Sequence, residues 1–345
     1  MKAIKNFLKQ MAHNKALGGF GAPFETMYGI LFGTSEVTLK APHIRDNIEI
    51  KRFMSCAIIA LLPSLAASIY YFGWHMLFLV AVAYVSGGIV EVIFAIVRKR
   101  EIEEGFLVTG MIFPLVLPPT TPWWVVVIGM VFGVFFGKEV FGGTGRNIFN
   151  PALVGRLFIT IAFPQMLSSS WQVPLSDVIT SATPLSVYKT QGVLQDPLMM
   201  LLGNSQIGGG CMGETFRLGI ILGGVFLMIL KVSNFRTPLF YLGTVALFSF
   251  TANLFGISAI APPWFQLLSG GLLFGAMFMA TDPITSPMTN PGKIISAVVM
   301  GILTVLIRAF SGYNEGVMFS IILTNALNPI IDSIVLAQKF KVRSK

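Results

Sequence analysis

Residues 105–119 read GFLVTGMIFPLVLPP, an apolar run that Pro114, Pro118 and Pro119 interrupt. Proline removes a backbone donor and frees carbonyl groups, and lipid cannot satisfy those carbonyls. The stretch therefore predicts a broken membrane helix whose freed backbone groups face protein, water, an ion or a ligand. A kink that serves helix packing alone is the alternative.

The rest of the chain is equally apolar. Of its 345 residues, 54% are hydrophobic and only 11% are charged, whereas a soluble domain carries about 25% charged residues. The 30 phenylalanines and 35 glycines point the same way, because glycine is commoner in membrane helices than in soluble ones. The first 25 residues lack a continuous apolar core, so no cleavable signal peptide is expected. The composition predicts an all-α polytopic membrane protein.

Ten apolar runs are candidates for membrane spans. A bilayer is crossed by about 20 apolar residues, and several of the runs are shorter or interrupted. They lie near 53–72, 76–97, 106–119, 123–141, 148–165, 218–232, 238–256, 264–280, 294–309 and 317–336.

The basic residues set the predicted orientation. Of the 24 lysines and arginines, 20 fall in segments that lie on one side of a ten-span arrangement. The other four are Arg156, Lys189, Arg217 and Arg308. By the positive-inside rule the richer side is cytoplasmic, so both termini are expected there and residues 167–214 on the opposite side. The net charge of +9 is then topological, and no nucleic-acid partner is expected.

No motif indicates a resident metal. Cys56 and Cys211 are far apart in the sequence, which supports neither a disulfide framework nor an iron–sulfur or zinc site. The histidines at 13, 43 and 75 show no metal-ligand spacing.

The first five spans and the last five resemble each other. GFLVTGMIFP from Gly105 corresponds to GLLFGAMFMA from Gly271, and Gly129 corresponds to Gly301. An odd number of spans per half, joined by a one-sided linker, makes the halves antiparallel, as in inverted-repeat proteins with sites near broken helices. Chance similarity of glycine-rich spans is the alternative. The predicted units are 1–52, 53–166, 167–214, 215–336 and 337–345.

Acidic residues inside predicted spans are costly and demand a reason. Glu91 follows a glycine pair in the second span, Asp282 lies in the Thr281–Pro283 break, and Asp332 lies in the last span beyond a further predicted break at Asn328-Pro329. Carboxylates and freed carbonyls are oxygen ligands for a hard cation, so these residues could line a cation path. Exposure at the interface would also account for Asp332, and a local ion pair with Lys138 or exposure at the interface accounts for Glu139.

Two polar stretches stand out between the spans. Residues 142–147, GGTGRN, lack the preceding strand and the lysine–hydroxyl pair of a phosphate-binding loop, so they are a weak nucleotide fingerprint. A flexible loop leading into Asn150-Pro151 fits them better. Residues 177–185, DVITSATPL, lie in the long linker. They are either a solvent-exposed connector or a segment with Thr183 as a chemical attachment point.

Four stretches resemble a known family. They are HIRDNIEIKRFM (43–54), RKREIEEGFLVTGMIFPLVLPPTTP (98–122), KEVFGGTGRNIFNPALVGRLF (138–158) and FGAMFMATDPIT (274–285). They are similar to the B subunits of the sodium-translocating NADH:quinone oxidoreductases, and the resemblance runs from about residue 20 to 340. The related D subunit of the Rnf ferredoxin-linked complex shares the fold, but its loop usually differs from GGTGRN.

The resemblance implies covalent FMN on Thr183. In this family a flavin transferase links FMN through a phosphoester to the last threonine of Asp-x-x-Ser/Thr-Gly-Ala-Thr. Asp177, Thr180, Ala182 and Thr183 match that pattern, and Ser181 replaces the usual glycine.

It implies further sites as well. Quinone binding falls on Gly87 and Gly88, the sodium pathway on Glu91, Asp282 and Asp332, and non-covalent riboflavin near Asn147 and Asn150. One departure is the connection 73–75, which is very short where many members carry a long insertion.

The implied protein is one component of a six-subunit respiratory complex in the bacterial inner membrane. It would pass electrons from NADH, oxidised in a partner subunit, through FMN and riboflavin to ubiquinone or menaquinone while sodium crosses the membrane. It would not be active alone, because the chain shows no NADH site and no iron–sulfur ligands. The alternatives are the D subunit of an Rnf-type ferredoxin:NAD oxidoreductase and a flavin-free channel or transporter of the same fold.

Overall fold

The computed structural model describes residues 50–99, 105–168, 170–175, 182–203 and 210–343. Within these ranges the regular structure is helical, with 14 α-helices. The predicted segment 1–52 lies almost entirely outside the described residues, as do residues 176–181 of the linker.

The first half and the linker contain eight α-helices. They are α1 Ile50–Phe72, α2 His75–Arg98, α3 Gly105–Leu115, α4 Trp123–Gly137, α5 Pro151–Ala162, α6 Pro164–Ser168, α7 Pro184–Gln191 and α8 Pro197–Leu202.

The second half contains six α-helices, and a short π-helix follows the fourth of them. They are α9 Arg217–Ile229, α10 Arg236–Leu254, α11 Pro263–Leu268, α12 Leu272–Phe274 with the π-helix Gly275–Met279, α13 Asn290–Phe310 and α14 Val317–Arg343.

The helix lengths confirm a polytopic membrane protein. Six helices (α1, α2, α4 with its short extension, α10, α13 and α14) are long and apolar enough to cross a bilayer. Three more predicted spans are shorter apolar helices, α3, α5 and α9. The remaining span, predicted near 264–280, is divided into α11, α12 and the π-helix. Four of the ten predicted spans are therefore short or broken.

The two halves share one packing pattern. In the first half α2 packs on α3 and α4, α1 packs on α3, and α5 packs on α3 and α4. In the second half α10 packs on α11 and α13, α9 packs on α12, and α14 packs on α13 and the π-helix. This repetition supports the predicted duplication, while the inverted orientation of the halves in the membrane stays a prediction.

Equivalent helices meet where the halves join. Helix α1 packs on α9, and α5 packs on α14. The α1–α9 contact is close because Gly223 has no side chain: a Cβ there would collide with the carbonyl oxygen of Ala60. Small residues of this kind let membrane helices approach backbone to backbone.

The connections between helices sort onto two faces. On one face Arg98 bonds to Glu139, Asn150 to Asp282, and Asp332 to Thr289. On the other, Tyr71 bonds to Leu202, Thr120 to Ser170, and Tyr188 to Ser258. We call these the basic face and the linker face.

The basic residues follow this division. The basic face carries Arg98, Lys99, Lys138, Arg146, Lys231, Arg236, Lys293, Lys339 and Lys341, whereas the described linker face has Arg156, Lys189, Arg217 and Arg308. The asymmetry is the one that the positive-inside rule describes. That the basic face is cytoplasmic stays a prediction.

The breaks do not all fall where proline predicts them. The main break of the second half lies at Ser269–Gly271, between α11 and α12, where Gly270 has φ +62°. Asn328-Pro329 does not interrupt its span, because α14 continues through Pro329 to Arg343. Neighbouring helices supply contacts for backbone groups that such a proline frees.

Candidate functional site

A cavity opens at the basic face between the two halves. The space between its lining atoms is about 750 Å³ when the adjoining open solvent is counted. Apolar side chains of α1, α3, α9 and the π-helix form most of its wall. Its polar lining consists of Thr109, Lys138, Thr144, Asn147, Asn150, Ser233, Thr281 and Asp282. Three residues predicted from the sequence, Asn147, Asn150 and Asp282, are thus brought together.

Asn150 joins the two halves at this cavity. It is the N-cap of α5, and its Oδ1 accepts a hydrogen bond from Ala152 N at 3.0 Å. Its Nδ2 donates to Asp282 Oδ2 at 3.4 Å. The asparagine before proline therefore starts the helix, as capping preferences predict, and also presents its amide to the opposite half.

Asn147 leaves an acceptor for a ligand. Its Nδ2 donates to Phe149 O at 3.0 Å, which fixes the amide against the loop. Its Oδ1 is buried and accepts no hydrogen bond from the described residues. Ser233 Oγ, which also lines the cavity, is buried without a partner among the same residues. Buried polar atoms are normally satisfied, so this wall is suited to a polar ligand.

Asp282 follows the π-helix and lies half-buried in the cavity wall. One carboxylate oxygen accepts from Ile284 N at 3.2 Å, and the other accepts from Thr285 Oγ1 at 3.1 Å. The carboxylate is therefore held in a fixed position by its own turn and by Asn150. Among the described residues no basic side chain forms an ion pair with it.

Glu91 has a partner that sequence reasoning missed. It is buried in α2 and forms an ion pair with Lys138 at 2.5 Å. Glu139, which we paired with Lys138, is bound instead by Arg98 at 2.7 Å, and its distance from the Lys138 ammonium is 4.0 Å. The predicted local ion pair of Lys138 with Glu139 is therefore present at 4.0 Å, but each residue has a closer partner. Both main partners lie on α2, more than 40 residues earlier in the chain, so no local pattern indicates them.

The glycine pair before Glu91 packs against other helices. A Cβ at Gly87 would lie 2.7 Å from Phe106 and 2.6 Å from Met130, and a Cβ at Gly88 would lie 3.5 Å from Phe106. Gly87 therefore permits close packing of α2 on α3 and α4. A quinone site at these residues stays a prediction. A larger side chain at Gly87 would displace α3, so a substitution there would not distinguish quinone binding from helix packing.

Asp332 caps a helix of its own half. Its carboxylate accepts from Met288 N at 2.6 Å, from Thr289 N at 3.1 Å and from Thr289 Oγ1 at 2.5 Å. These donors immediately precede α13, where a negative charge also complements the helix dipole. Both oxygens are thus committed to the start of α13, and Asp332 does not line the cavity described above.

We expect Asp332→Ala to destabilise the protein by about 1–3 kcal/mol, because it leaves backbone donors without their acceptor. Thermal unfolding in detergent measures this, with Asp332→Asn as the milder control that keeps one acceptor oxygen. A variant with unchanged thermal stability and a changed sodium dependence would show instead that Asp332 binds the ion.

Thr183 lies on the linker face at the start of α7. It has extended backbone (φ −72°, ψ 155°), and its Oγ1 accepts a hydrogen bond from Ser186 N at 3.2 Å, so it is the N-cap of α7. The side chain is half-buried, and its neighbour Ala182 is exposed. The rest of the predicted attachment pattern, Asp177, Thr180 and Ser181, lies outside the described residues.

Helix α7 packs against the second half. Leu185 belongs to a small apolar cluster with Phe265 of α11, and the Tyr188 hydroxyl donates to Ser258 O. Lys189 Nζ donates to Ser311 O at 2.5 Å. Partial burial raises the pKa of Tyr188 and lowers the pKa of Lys189 from their ordinary values. The helix that begins after the predicted attachment residue therefore packs against α11 and the connection that follows α13.

A group of buried and half-buried charges lies around the helix break at Ser269–Gly271, and sequence reasoning interpreted its arginines only as signals of topology. We call it the linker-face cluster, and it consists of Arg156, Glu214, Arg217, Arg308 and Glu315. Arg308 bonds to Glu315 at 3.1 Å and to Gln266 O at 2.8 Å. The signal available in the sequence was the cost of arginine within spans, which applies to Arg156 and Arg308 as it does to Glu91.

An apolar layer separates this cluster from the cavity at the basic face. Ile112 and Phe278 line the cavity, whereas Leu115 and Phe274 line a smaller space beside Arg156 and Glu214. Ile112 and Leu115 are about one turn apart on α3, and Phe274 and Phe278 are about one turn apart across α12 and the π-helix. All four side chains are buried, with at most 7% of their surface exposed.

The sequence has relatives among characterised families. It matches the NQR2, RnfD, RnfE family over residues 37–341. The B subunit of the Na⁺-translocating NADH-quinone reductase of Azotobacter vinelandii is 33% identical across 99% of this chain and 98% of its own. The B subunit from Yersinia pestis is 32% identical with the same coverage. The D subunit of the Na⁺-translocating ferredoxin:NAD⁺ oxidoreductase complex of Acetobacterium woodii is 37% identical across 85% of this chain and 91% of its own.

Proposed function

Since the chain belongs to the NQR2, RnfD, RnfE family, we propose that it is the membrane-embedded B subunit of a Na⁺-translocating NADH:quinone reductase. In this role it carries covalent FMN, passes electrons towards quinone and provides a route for sodium. Its relatives are subunits of redox-driven sodium-translocating complexes, and the helices described above are those of a membrane protein. The single observation that carries the finer assignment is the match to the Azotobacter vinelandii B subunit over nearly the full length of both chains.

The surroundings of Thr183 fit a phosphoester. A helix N-terminus favours negative charge, because its first N–H groups lack partners and the dipole is positive there. Thr183 Oγ1 occupies that position at α7, which has eight residues. The exposed, small Ala182 beside it leaves room for a flavin transferase to reach the hydroxyl. Covalent attachment holds the flavin whatever charge its ring carries.

The basic-face cavity is our candidate site for a non-covalent riboflavin. A flavin ring is flat and largely apolar, with acceptors and one N–H donor at one end. Apolar residues such as Phe53 and Ile112 could contact its faces, and the unpartnered Asn147 Oδ1 could accept the ring N–H. The Asn150 amide, the Lys138 ammonium and Ser233 are further polar groups at the wall. When bound, the flavin supplies the electron-transfer chemistry, and these residues orient it.

Asp282 is the residue we assign to sodium entry. It is the carboxylate of the cavity that no described basic side chain pairs, and it follows a π-helix, a feature often found at functional sites. Glu91, with Lys138 beside it, acts by keeping the first half in place around the cavity. Moving sodium outward against the potential requires about 2.3 kcal/mol per charge per 100 mV, which electron transfer to quinone supplies.

The proposal includes partners and a location. Other subunits must oxidise NADH and deliver electrons, and a flavin transferase must load Thr183. The basic face lies in the cytoplasm and the linker face outside the bacterial inner membrane, with both termini on the basic side. Ubiquinone and menaquinone are both suitable acceptors.

The second candidate is the D subunit of an Rnf-type complex, with the same fold and flavin. Two observations favour it. The identity to the Acetobacterium woodii relative is 37%. The connection between α1 and α2 is only two residues long, whereas many B subunits carry a long insertion there.

The electron donor separates the two candidates. We expect the complex purified from native membranes through a tag on this chain to oxidise NADH with quinone, at a rate that sodium increases. Reduction of NAD⁺ by reduced ferredoxin, with no NADH:quinone activity in the same preparation, would assign the chain to the Rnf type. A preparation of this chain without other subunits would contradict both.

A further inference from the structure

The described lining of the basic-face cavity contains one basic and one acidic side chain. They are Lys138 and Asp282, and the other polar residues of the lining are neutral. A cation that enters the cavity is attracted by Asp282 and repelled by Lys138. The two effects oppose each other, so Asp282 attracts sodium strongly only where the charge on Lys138 is compensated.

Glu91 supplies that compensation from behind the cavity wall. Its Oε1 accepts a hydrogen bond from Lys138 Nζ at 2.5 Å, and the two side chains are at most 4% exposed. Glu91 is not among the described residues that line the cavity, whereas Lys138 is. The Glu91 carboxylate therefore acts on a cation in the cavity through its charge and through Lys138, without contact.

Two further charges complete this buried network. Glu139 lies 2.7 Å from the Arg98 guanidinium and 4.0 Å from Lys138 Nζ. The Glu139 side chain is 5% exposed, whereas that of Arg98 is 28% exposed and closer to solvent. Two cations and two anions sum to zero, so the loss of one member leaves an unbalanced charge beside the cavity. Solvent and salt screen such a charge much less than they screen an exposed one.

We propose that Lys138 sets the sodium affinity of the basic-face cavity, and that Glu91 and Glu139 are positioning residues that keep its charge neutralised. The proposal rests on the proposed function, because it requires sodium to bind beside Asp282. Glu91 then influences sodium binding without being a ligand, in addition to holding the first half in place.

The test is the sodium concentration that gives half-maximal quinone reduction by the purified complex at constant ionic strength. Glu91→Gln leaves the Lys138 ammonium uncompensated. It should raise that concentration about threefold to fivefold, as expected for a partly screened unit charge across the cavity at an effective permittivity of about 20. Lys138→Gln removes the repelling charge and should lower the concentration. The double variant Glu91→Gln/Lys138→Gln should return it close to the wild-type value.

A second readout measures binding without turnover. Sodium should raise the thermal stability of the same complexes in detergent, because a ligand stabilises the state that it binds, and the variants should follow the same order. Glu139→Gln should act in the same direction as Glu91→Gln. Glu315→Gln is the matched control, since it loses the ion pair with Arg308 on the linker face. It should lower stability without changing the sodium concentration required.

The opposite signs and the recovery in the double variant distinguish this role from a structural one, because a second substitution would not repair lost packing. If the double variant requires as much sodium as Glu91→Gln does, Glu91 is itself a ligand and the proposal is wrong. The proposal is also wrong if Lys138→Gln raises the sodium requirement.

An unpaired buried charge is strongly destabilising. Should Glu91→Gln or Lys138→Gln not assemble for that reason, the double variant and Glu139→Gln still decide the question: the first should resemble the wild type and the second should require more sodium. A wild-type complex without sodium dependence would contradict the proposed function itself. Sodium dependence that none of these changes of charge alters would contradict this inference alone.

Discussion

Thr183→Val is expected to abolish covalent flavin on this chain. Valine keeps the shape of threonine but lacks the hydroxyl that forms the phosphoester. The variant also loses the N-cap hydrogen bond to Ser186 N, which costs about 1 kcal/mol, so the protein should still insert. Denaturing electrophoresis under ultraviolet light shows the result as loss of a fluorescent band near 37.6 kDa, and intact mass confirms it.

Thr190→Val is the matched control. Thr190 lies in the same helix, is exposed, and bonds only within α7. This variant should keep its flavin. Persistent fluorescence in Thr183→Val would show that another residue is the acceptor. A dark wild-type band, produced alongside an active flavin transferase, would favour the flavin-free transporter.

Asp282→Asn should raise the sodium concentration needed for half-maximal quinone reduction by about tenfold or more. Losing a charged ligand costs on the order of 1.5–3 kcal/mol, and each 1.4 kcal/mol is about a factor of ten in affinity. The amide keeps the size of the side chain and one acceptor oxygen, so the hydrogen bond from Ile284 N can persist, while the amide NH2 group can donate to Thr285 Oγ1 instead of accepting from it. The measurement is NADH:quinone activity of the purified complex against sodium concentration.

Two other carboxylates provide the comparison. Asp196→Asn changes the exposed N-cap of α8 on the linker face and should leave the sodium dependence unaltered. Glu91→Gln should change it less than Asp282→Asn does, because Glu91 is already paired with Lys138. Unchanged sodium dependence in Asp282→Asn would remove this residue from the ion path.

Sequence reasoning predicts the architecture well because lipid constrains it strongly. Apolar runs and the positions of lysine and arginine can be recognised in each segment separately. The alternation of the connections between the two faces follows from these two patterns. Proline was a poorer guide. Pro329 lies inside a continuous α14, whereas the break at Ser269–Gly271 is marked by glycines and is held by Glu315 and Arg308 from another part of the chain.

The candidate sites divide in the same way. Asn150 and Thr183 act as helix caps, which a local pattern of Asn-Pro and Thr-Pro indicates. The partner of Glu91, the convergence of Asn150 with Asp282, and the position of Arg156 depend on packing between distant segments. No single-chain pattern specifies those contacts, so they could be found only in three dimensions.

The apolar layer between the basic-face cavity and the linker-face cluster bears on energy conservation. Buried Ile112, Leu115, Phe274 and Phe278 form an electrical insulator about one helical turn thick on each half. A hydrophobic constriction excludes water and ions, so these four side chains keep the two polar spaces apart.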